Sequence, residues 1–371
     1  MKRKIMFVNY SLGIGGIETL TLELCKKLDQ EKFSASVCVF ESGGELEKEF
    51  SRAGITVHVL NKSRGTDFAM PFRLAKLIKK EGVGIVHTQN QCAWLYGGIA
   101  AVLAGVPLVH TQHTTADYFN YHSGRWMKLE WVLAQFTIKI STVAASVAKF
   151  MIEKEGIARK KLVVIYNGVK PESYEKNVDV PGKKKELGLG TSEVVIGCVA
   201  RLTDNKDHRT LLQAFKTVRH QIHQVKLLIV GDGPLKASLI EYTVELGLQD
   251  SVVFLGARRD IPDLLKVFDM FALSSIREGF PVVLLEAMIS GLPVVCTDVD
   301  GNGELVLHEK TGLVVNARDP EHFAAALLRL IRNKDEVTRF GSEGRKRILE
   351  SFTFAKMIKE YEHLYDEVIK Q

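Results

Sequence analysis

Short uncharged apolar runs alternate along the chain with polar or glycine-rich loops and longer amphipathic stretches. Residues 4–9 form the first run, 11–16 a loop, and 17–28 an amphipathic stretch. Runs at 35–40, 56–60, 85–88, 108–111, 141–145 and 163–166 predict further strands. Strands separated by helical patterns read as βαβ units of a parallel sheet. Each parallel return requires a right-handed crossover, so helices are expected on both faces. Residues 171–192 interrupt the rhythm with a polar segment that holds Lys183–Lys185 and several Gly and Pro, the composition of a linker. The rhythm restarts at 194–200 and continues at 226–231, 252–255, 270–275, 293–297 and 312–315. The pattern predicts two α/β domains in tandem: residues 1–170, then 171–352 with the linker at its start. From Glu321 onward it is helical, and Phe354, Met357, Ile358, Tyr361, Leu364, Tyr365 and Val368 recur at helical spacing. A helix over 353–371 is expected to return to the first domain.

Two segments resemble membrane or export signals. Residues 92–109 carry no charge over 18 positions, near the length of a membrane span. Gly105 and Pro107 break the stretch in the manner of a helix C-cap, which predicts a buried helix of about 12 residues followed by a buried strand. The basic start at Met1–Lys4 leads into an apolar run that stops at Asn9, too short for a signal peptide. The 371 residues are 46% hydrophobic and 25% charged, which excludes disordered, collagenous and coiled-coil chains. Five scattered cysteines, with no C-x-x-C pair, argue against zinc and disulfide frameworks and for reduced thiols in the cytoplasm. The net charge of +6 is uneven. Residues 1–170 hold 23 Lys+Arg and 14 Asp+Glu, a balance of +9, which leaves −3 for the rest. A basic N-terminal half points to an anionic partner.

Ligands of open parallel sheets bind beyond the carboxyl ends of strands, so the loops after strands are where chemistry is expected. The first such loop reads Gly13-Ile14-Gly15-Gly16-Ile17-Glu18. Its glycines would let backbone N–H groups approach a phosphate at a helix N-terminus. It is not a dinucleotide fingerprint, which needs glycine where Glu18 stands; a plain tight turn fits it equally. The first strand of the second domain leads into Arg201-Leu-Thr-Asp-Asn-Lys206. A planar guanidinium and a point-charge ammonium in one loop suit a diphosphate, although a solvated loop would read the same way. Glu278 and Glu286 bracket a run of apolar residues. Pro281 suits a first helical turn, with Glu278 before it and Glu286 a turn or more inside. Eight residues are about 2.2 turns, which would bring the carboxylates to similar faces. A glutamate in an apolar run is costly unless paired, and hydroxyl groups or a structural cation would serve.

Taken together, these segments resemble the family 4 retaining glycosyltransferases of the GT-B fold. Glu278-x7-Glu286 followed by Ala-Met-x-x-Gly-x-Pro-Val-Val resembles the family signature, and Ala200-Arg-Leu-x-x-x-Lys206 its diphosphate loop. Gly15-Gly16-x-Glu18 resembles its N-terminal glycine loop, and Asn167-Gly168-Val169 the close of its first domain. The resemblance runs through nearly the whole chain in the right order. It implies two Rossmann-like parallel-sheet domains facing an interdomain cleft, the first for the acceptor and the second for the donor. Residue by residue, it implies that Arg201 and Lys206 hold the nucleotide's diphosphate and that Glu286 accepts hydrogen bonds from the ribose. Glu278 and the backbone of Gly279, Phe280 and Pro281 would contact the transferred sugar. Gly256 and Arg258 would lie near the base, and Gly15 and Gly16 near the phosphates. His113 matches the family's strand-end histidine at the donor sugar better than His110, which falls within the predicted strand.

The chain departs from the family where Ala200 and Asp207 replace glycines, and where Asp300-Gly301-Asn302-Gly303-Glu304 loses one glycine of Gly-Gly-x-x-Glu. The last change creates Asp298-Val299-Asp300, a D-x-D sequence. Since Arg201 and Lys206 already supply cations, neither a metal nor a cofactor is expected, and the nucleotide-sugar is a co-substrate. Two basic-aromatic stretches, residues 62–80 and 121–131, suit an anionic bilayer surface. No stacking motif for nucleic acid appears. The expected activity is retaining transfer from a nucleotide-sugar, a UDP-sugar by preference, to a hydroxyl of a lipid-linked or polysaccharide acceptor. The expected setting is cytoplasmic, peripheral on the inner face of the plasma membrane. A nucleotide-sugar epimerase, a phosphorylase and a non-catalytic sugar-nucleotide-binding subunit are the alternatives.

Overall fold

A computed structural model describes residues 2–13, 15–42, 44–114 and 124–370, with side chains from 128 onward in the last segment. The chain parts into two units, residues 1–167 with 355–371, and residues 168–354. In the first, the strands are β1 (Arg3–Asn9), β2 (Phe33–Val39), β3 (Thr56–Val59), β4 (Ile85–Thr88), β5 (Leu108–Gln112), β6 (Lys139–Thr142) and β7 (Leu162–Val164). They form a parallel sheet in the order β3-β2-β1-β4-β5-β6-β7 among the described residues. The second unit holds β8 (Val194–Val199), β9 (Val225–Val230), β10 (Val252–Gly256), β11 (Met270–Leu273), β12 (Val294–Thr297) and β13 (Gly312–Val315). These are parallel in the order β10-β9-β8-β11-β12-β13. Both are doubly wound, Rossmann-like sheets. The strand order reverses between β1 and β4 in one sheet and between β8 and β11 in the other, which marks the crevices where such sheets bind ligands.

Near-continuous apolar runs make the central strands, because a parallel sheet covered on both faces leaves them no wet side. Met6, Val8, Val86, Trp94, Leu108 and Ile140 belong to one buried cluster of the first unit. The uncharged stretch at 92–104 is part of the helix Gln91–Ala104. Asn90 caps it by accepting from the Ala93 N–H at 2.9 Å, and Gly105 ends it with a left-handed φ of 71°. This helix is not buried all round, since Ile99, Val102 and Leu103 are exposed while Ala93, Trp94 and Ala100 are covered. No helix among the described residues is long and apolar enough to cross a membrane.

The helical tail forms three helices, Pro320–Arg332, Lys334–Ser351 and Phe354–Ile369. The last of these lies, from Ala355 onward, in the first unit, where Tyr361 and Tyr365 are buried against the sheet. The Tyr365 hydroxyl lies 2.7 Å from His87 Nδ1, and the Tyr361 hydroxyl 3.2 Å from Thr111 Oγ1. Each buried aromatic stabilises the docking by about 1.5–3 kcal/mol, and its hydroxyl finds a partner rather than a void. The polar stretch after residue 170 is more structured than a linker. It contains the 3-10 turn Pro171–Tyr174 and the helix Val180–Glu186, and Tyr174 is buried. Strand β6 ends at Thr142 rather than 145, because Ala144 already caps the helix Ala145–Glu153 with extended backbone.

Candidate active site

Three loops at the carboxyl edge of the second sheet are stitched into one surface. The loop after β8 begins at Ala200, whose N–H donates to the Val230 carbonyl at 3.0 Å, and Leu202 donates to the Asp232 carbonyl at 3.0 Å. This close approach needs Gly231, which adopts φ 140° and whose absent Cβ would lie 1.9 Å from the Ala200 carbonyl oxygen. Arg201 projects from this braced segment into solvent and makes no ion pair among the described residues. The turn Asp204–Lys206 instead points Lys206 inward. Its Nζ lies 2.5 Å from Glu278 Oε1, with side-chain exposures of 15% and 8%. Ser275 Oγ donates to the same carboxylate oxygen at 2.6 Å, and the Glu278 N–H donates to Asp300 Oδ2 at 2.7 Å. Ser274 Oγ bridges the carbonyls of Lys206 and Asp207 at 3.0 and 2.9 Å. The Gly301 N–H closes onto the Gly279 carbonyl at 3.0 Å. Lys206, Glu278 and Asp300 therefore join the loops after β8, β11 and β12.

The two glutamates do not share a helical face. Glu278 sits in the turn ahead of the helix Val282–Ile289, for which Pro281 is the N-cap, so helical periodicity never runs through both. Glu286, inside that helix and half-buried, accepts a hydrogen bond from the Tyr174 hydroxyl at 2.7 Å. Burial pushes the Glu286 carboxyl up to about 7, and the Tyr174 hydrogen bond only partly offsets this. The Tyr174 hydroxyl is driven well above its ordinary range, first by burial and then by the neighbouring Glu286 charge. Phe280 turns its ring inward onto Phe352, with centroids 5.3 Å apart, so Gly279–Pro281 can offer a ligand their backbone. Gly256 ends β10 with φ 67°, and its carbonyl accepts from the Gly231 N–H. The Arg258 guanidinium is committed to Asp260 at 2.6 Å and to Glu186 at 3.0 Å.

The departures from glycine have a physical account. Asp207 and Asp300 adopt φ values of 44° and 42°, in the left-handed region where glycine is unstrained and Asp is tolerated. Each aspartate uses the side chain that glycine lacks. Asp207 caps the helix His208–Gln221 by accepting from the Thr210 N–H and hydroxyl at 3.3 and 2.6 Å. Asp300 accepts from the Glu278 N–H, so this member of the D-x-D sequence is engaged in holding the loop. No group of three metal-ligating side chains occurs among the described residues.

In the first unit, Gly15 caps the helix Gly16–Lys27, the next element after β1, with extended backbone. His113 follows the last residue of β5, half-buried, with Nε2 2.8 Å from Gln89 Oε1. Burial pushes His113 down to about 4, so its ring is neutral at pH 7. Gln89 Nε2 lies 3.3 Å from His87 Nε2, which links His113 to the buried polar cluster under the C-terminal helix. His110 lies within β5, stacked on Trp94 at 4.0 Å and hydrogen-bonded to Thr88 and Gln112, as a core histidine. Sequence reasoning missed Gln89, Ser275 and Tyr174. Ser275 stands three positions before Glu278, and Tyr174 is an aromatic residue in a polar stretch, both faint signals. A cavity of about 350 Å³ beside β13, lined by His308, His322 and Arg329 among others, shares none of these residues.

Each unit is a Rossmann-like sheet, and the second carries a cationic loop and two glutamates beyond its strand ends, the arrangement of a two-domain α/β enzyme. Residues 179–347 match the family described as Glycosyl transferases group 1, and residues 14–173 match Glycosyltransferase Family 4. The chain is 30% identical to UDP-Gal:alpha-D-GlcNAc-diphosphoundecaprenol alpha-1,3-galactosyltransferase of Escherichia coli, over 99% of this chain and 98% of that one. It is 28% identical to N-acetyl-alpha-D-glucosaminyl L-malate synthase of Bacillus anthracis, over 82% and 80%. Among solved structures, Anabaena Alr3699/HepE in complex with UDP and glucose superposes with a TM-score of 0.88 at 25% identity, covering 98% of this chain and 100% of that one. The chain belongs to the group 1, family 4 glycosyltransferases and has their GT-B architecture of two Rossmann-like domains.

The raised Glu286 carboxyl makes a prediction with a definite sign. Its folded value, about 7, lies above the ordinary 4.5, so the fold holds this proton more tightly than the unfolded chain. That contribution is complete below about pH 4.5 and is lost as pH rises through 7. Without nucleotide, the melting temperature of the wild type should therefore fall more steeply between pH 5 and 7 than that of Glu286→Gln, measured by calorimetry. Parallel slopes would contradict the assignment.

Proposed function

We propose that this glycosyltransferase takes a UDP-sugar as donor and transfers its sugar, with retention of anomeric configuration, to a hydroxyl of a lipid-diphosphate-linked saccharide. The observation that carries the reading is the Lys206–Glu278 pair, which joins the loops after β8 and β11 in a family chain, with Arg201 in the first of those loops and Glu286 in the helix that follows the second. Arg201 has its guanidinium free to clamp a diphosphate bidentately, and Lys206 adds a point charge beside it. Glu286 accepts from the ribose hydroxyls. Glu278 and the backbone of Gly279, Phe280 and Pro281 meet the transferred sugar, and the backbone at Gly256 faces the base. Arg258 is assigned there only through its backbone, because its guanidinium is neutralised by two carboxylates. Both the donor and the acceptor class gain support from the Escherichia coli relative, whose name specifies UDP-Gal and a diphosphoundecaprenol-linked GlcNAc.

Charge develops on the departing diphosphate, and fixed cations stabilise it most at that moment. The leaving phosphate oxygen then takes the acceptor hydroxyl's proton as the new bond forms on the face it vacates. No side-chain base is required, and a neutral His113 fits a hydrogen-bonding role rather than a basic one. Arg201 and Lys206 supply the positive charge that a divalent metal provides elsewhere, so the reaction is read as metal-independent.

The lipid part of the acceptor agrees with the surface of the first unit. Phe68 and Phe72 are 83% and 65% exposed, next to the exposed Arg64, Lys76, Lys79 and Lys80. Trp131 and Phe136 are exposed on the helix Gly124–Phe136. Arg125 and Trp126, in the second basic-aromatic stretch, lie outside the residues described at side-chain level. Arg73, partly exposed, differs from these cations in being paired with the buried Asp67 at 2.8 Å. Peripheral association through charge and shallow apolar insertion is the reading that follows.

Two outcomes test these assignments. Arg201→Ala and Lys206→Ala should each weaken UDP binding by about 1.5–3 kcal/mol in calorimetry, the size of a hydrogen bond to a charged group; activity abolished by EDTA and restored by manganese would overturn the metal-free reading. The wild type should co-sediment with vesicles containing anionic lipid, less so at high salt. Replacing Phe68, Phe72, Lys76, Lys79 and Lys80 with Ser should lower this without changing UDP affinity. Equal sedimentation with neutral and anionic vesicles would refute the membrane assignment.

A further inference from the structure

Tyr174 belongs to none of the sequence patterns that mark the donor site, yet it is 6% exposed and its hydroxyl ends on Glu286 Oε1 at 2.7 Å. It lies at the end of the turn Pro171–Tyr174, which packs against the helix that carries Glu286. We propose that Tyr174 is a positioning residue for nucleotide binding: its phenol fixes the Glu286 carboxylate in the orientation that accepts the donor's ribose hydroxyls. The proposal rests on the assignment of the ribose to Glu286.

The chemistry favours positioning over competition. An ionised carboxylate offers about four acceptor sites on its two oxygens. Tyr174 fills one of them, on Oε1. Oε2 and a second site on Oε1 remain, enough for two ribose hydroxyls. Held from one side, the carboxylate does not have to be ordered when the nucleotide arrives, which is the usual gain from preorganisation. Burial favours the neutral acid at Glu286, whereas the phenol donates to the charged form, the better acceptor for hydroxyl donors. Tyrosine suits the task because a buried ring fixes its single donor, as a short hydroxyl side chain at the same place would not.

The test is calorimetric titration of wild type, Tyr174→Phe, Glu286→Gln and the double variant with UDP and with its 2′,3′-dideoxy analogue. Phenylalanine keeps the ring and removes only the hydroxyl, and a melting curve for each variant checks the fold. Tyr174→Phe should weaken UDP binding about three- to tenfold, as expected for loss of one hydrogen bond, while leaving the analogue's affinity near that of wild type. In the Glu286→Gln background the Tyr174→Phe change should have little further effect, because the tyrosine acts through that carboxylate. An equal loss with both nucleotides, or a full further loss in the double variant, would make Tyr174 a general structural residue and overturn the proposal. Unchanged or tighter UDP binding by Tyr174→Phe would also overturn it, the latter by showing that the phenol occupies the ribose's place. Glu286→Gln weakening both nucleotides equally would instead remove the ribose assignment, and the proposal with it; a ribose-dependent loss at Glu286 with none at Tyr174 would overturn the proposal alone.

Discussion

A carboxylate as deeply placed as Glu278 cannot leave water cheaply unless a cation and donors meet it. Lys206 and Ser275 meet it here, on the same oxygen, and its own N–H is taken by Asp300. These contacts come from the loops after β8, β11 and β12, so the pairing fixes the relative positions of three strand ends. Removing one partner of such a pair typically costs about 3–5 kcal/mol, since the other is left buried and alone. The exposed Arg201 is not needed for the fold in this way, and its guanidinium remains available to a ligand. Of these two cations of the second unit, Lys206 is thus structurally paired and Arg201 makes no ion pair among the described residues.

The backbone imposes a second constraint on the same loops. Positions 207 and 300 are held in left-handed conformations, and position 231 has a positive φ of 140°, rarely adopted by residues with a side chain, where its lack of Cβ admits the Ala200 carbonyl. Only the last requires glycine outright, because the obstacle is another backbone group that has nowhere to move. At 207 and 300 aspartate tolerates the conformation and supplies a cap or a loop hydrogen bond in exchange. What read as erosion of a family pattern at Asp207 and Asp300 is a substitution of side-chain hydrogen bonds for conformational ease.

The strand rhythm made both parallel sheets legible before the structure, because a sheet covered on both faces demands uninterrupted apolar runs. Gly105 announced the C-terminal end of the helix at 91–104 through ordinary capping chemistry. The exposed face of that helix was not legible, since its hydrophobicity is nearly uniform all round and no periodicity marks the outer side. The segment 171–192 was read as a linker from its polar composition, and the burial of Tyr174 depends on contacts with residues more than 100 positions away. The spacing of Glu278 and Glu286 suggested a common helical face. Yet Pro281 already placed Glu278 ahead of the helix, where helical periodicity does not apply, and the helix does begin after it, at Val282. Composition counts Arg73 among the cations of the stretch 62–80 but does not show its pairing with the buried Asp67.

The proposed reaction is a transfer in which a sugar leaves UDP and arrives on a lipid-linked saccharide with its configuration kept. The most direct measurement is product analysis. The purified chain is incubated with UDP-galactose, UDP-glucose or UDP-N-acetylglucosamine, together with a polyprenyl diphosphate carrying N-acetylglucosamine. The products are then examined by mass spectrometry and by NMR at the new anomeric carbon. The account predicts that one donor yields a lipid product heavier by a single sugar, joined in the α configuration of the donor, with UDP released in equal amount. A β-linked product would contradict the retaining course. A donor epimerised or hydrolysed by the chain, with no sugar added to any lipid-linked acceptor, would contradict the account as a whole.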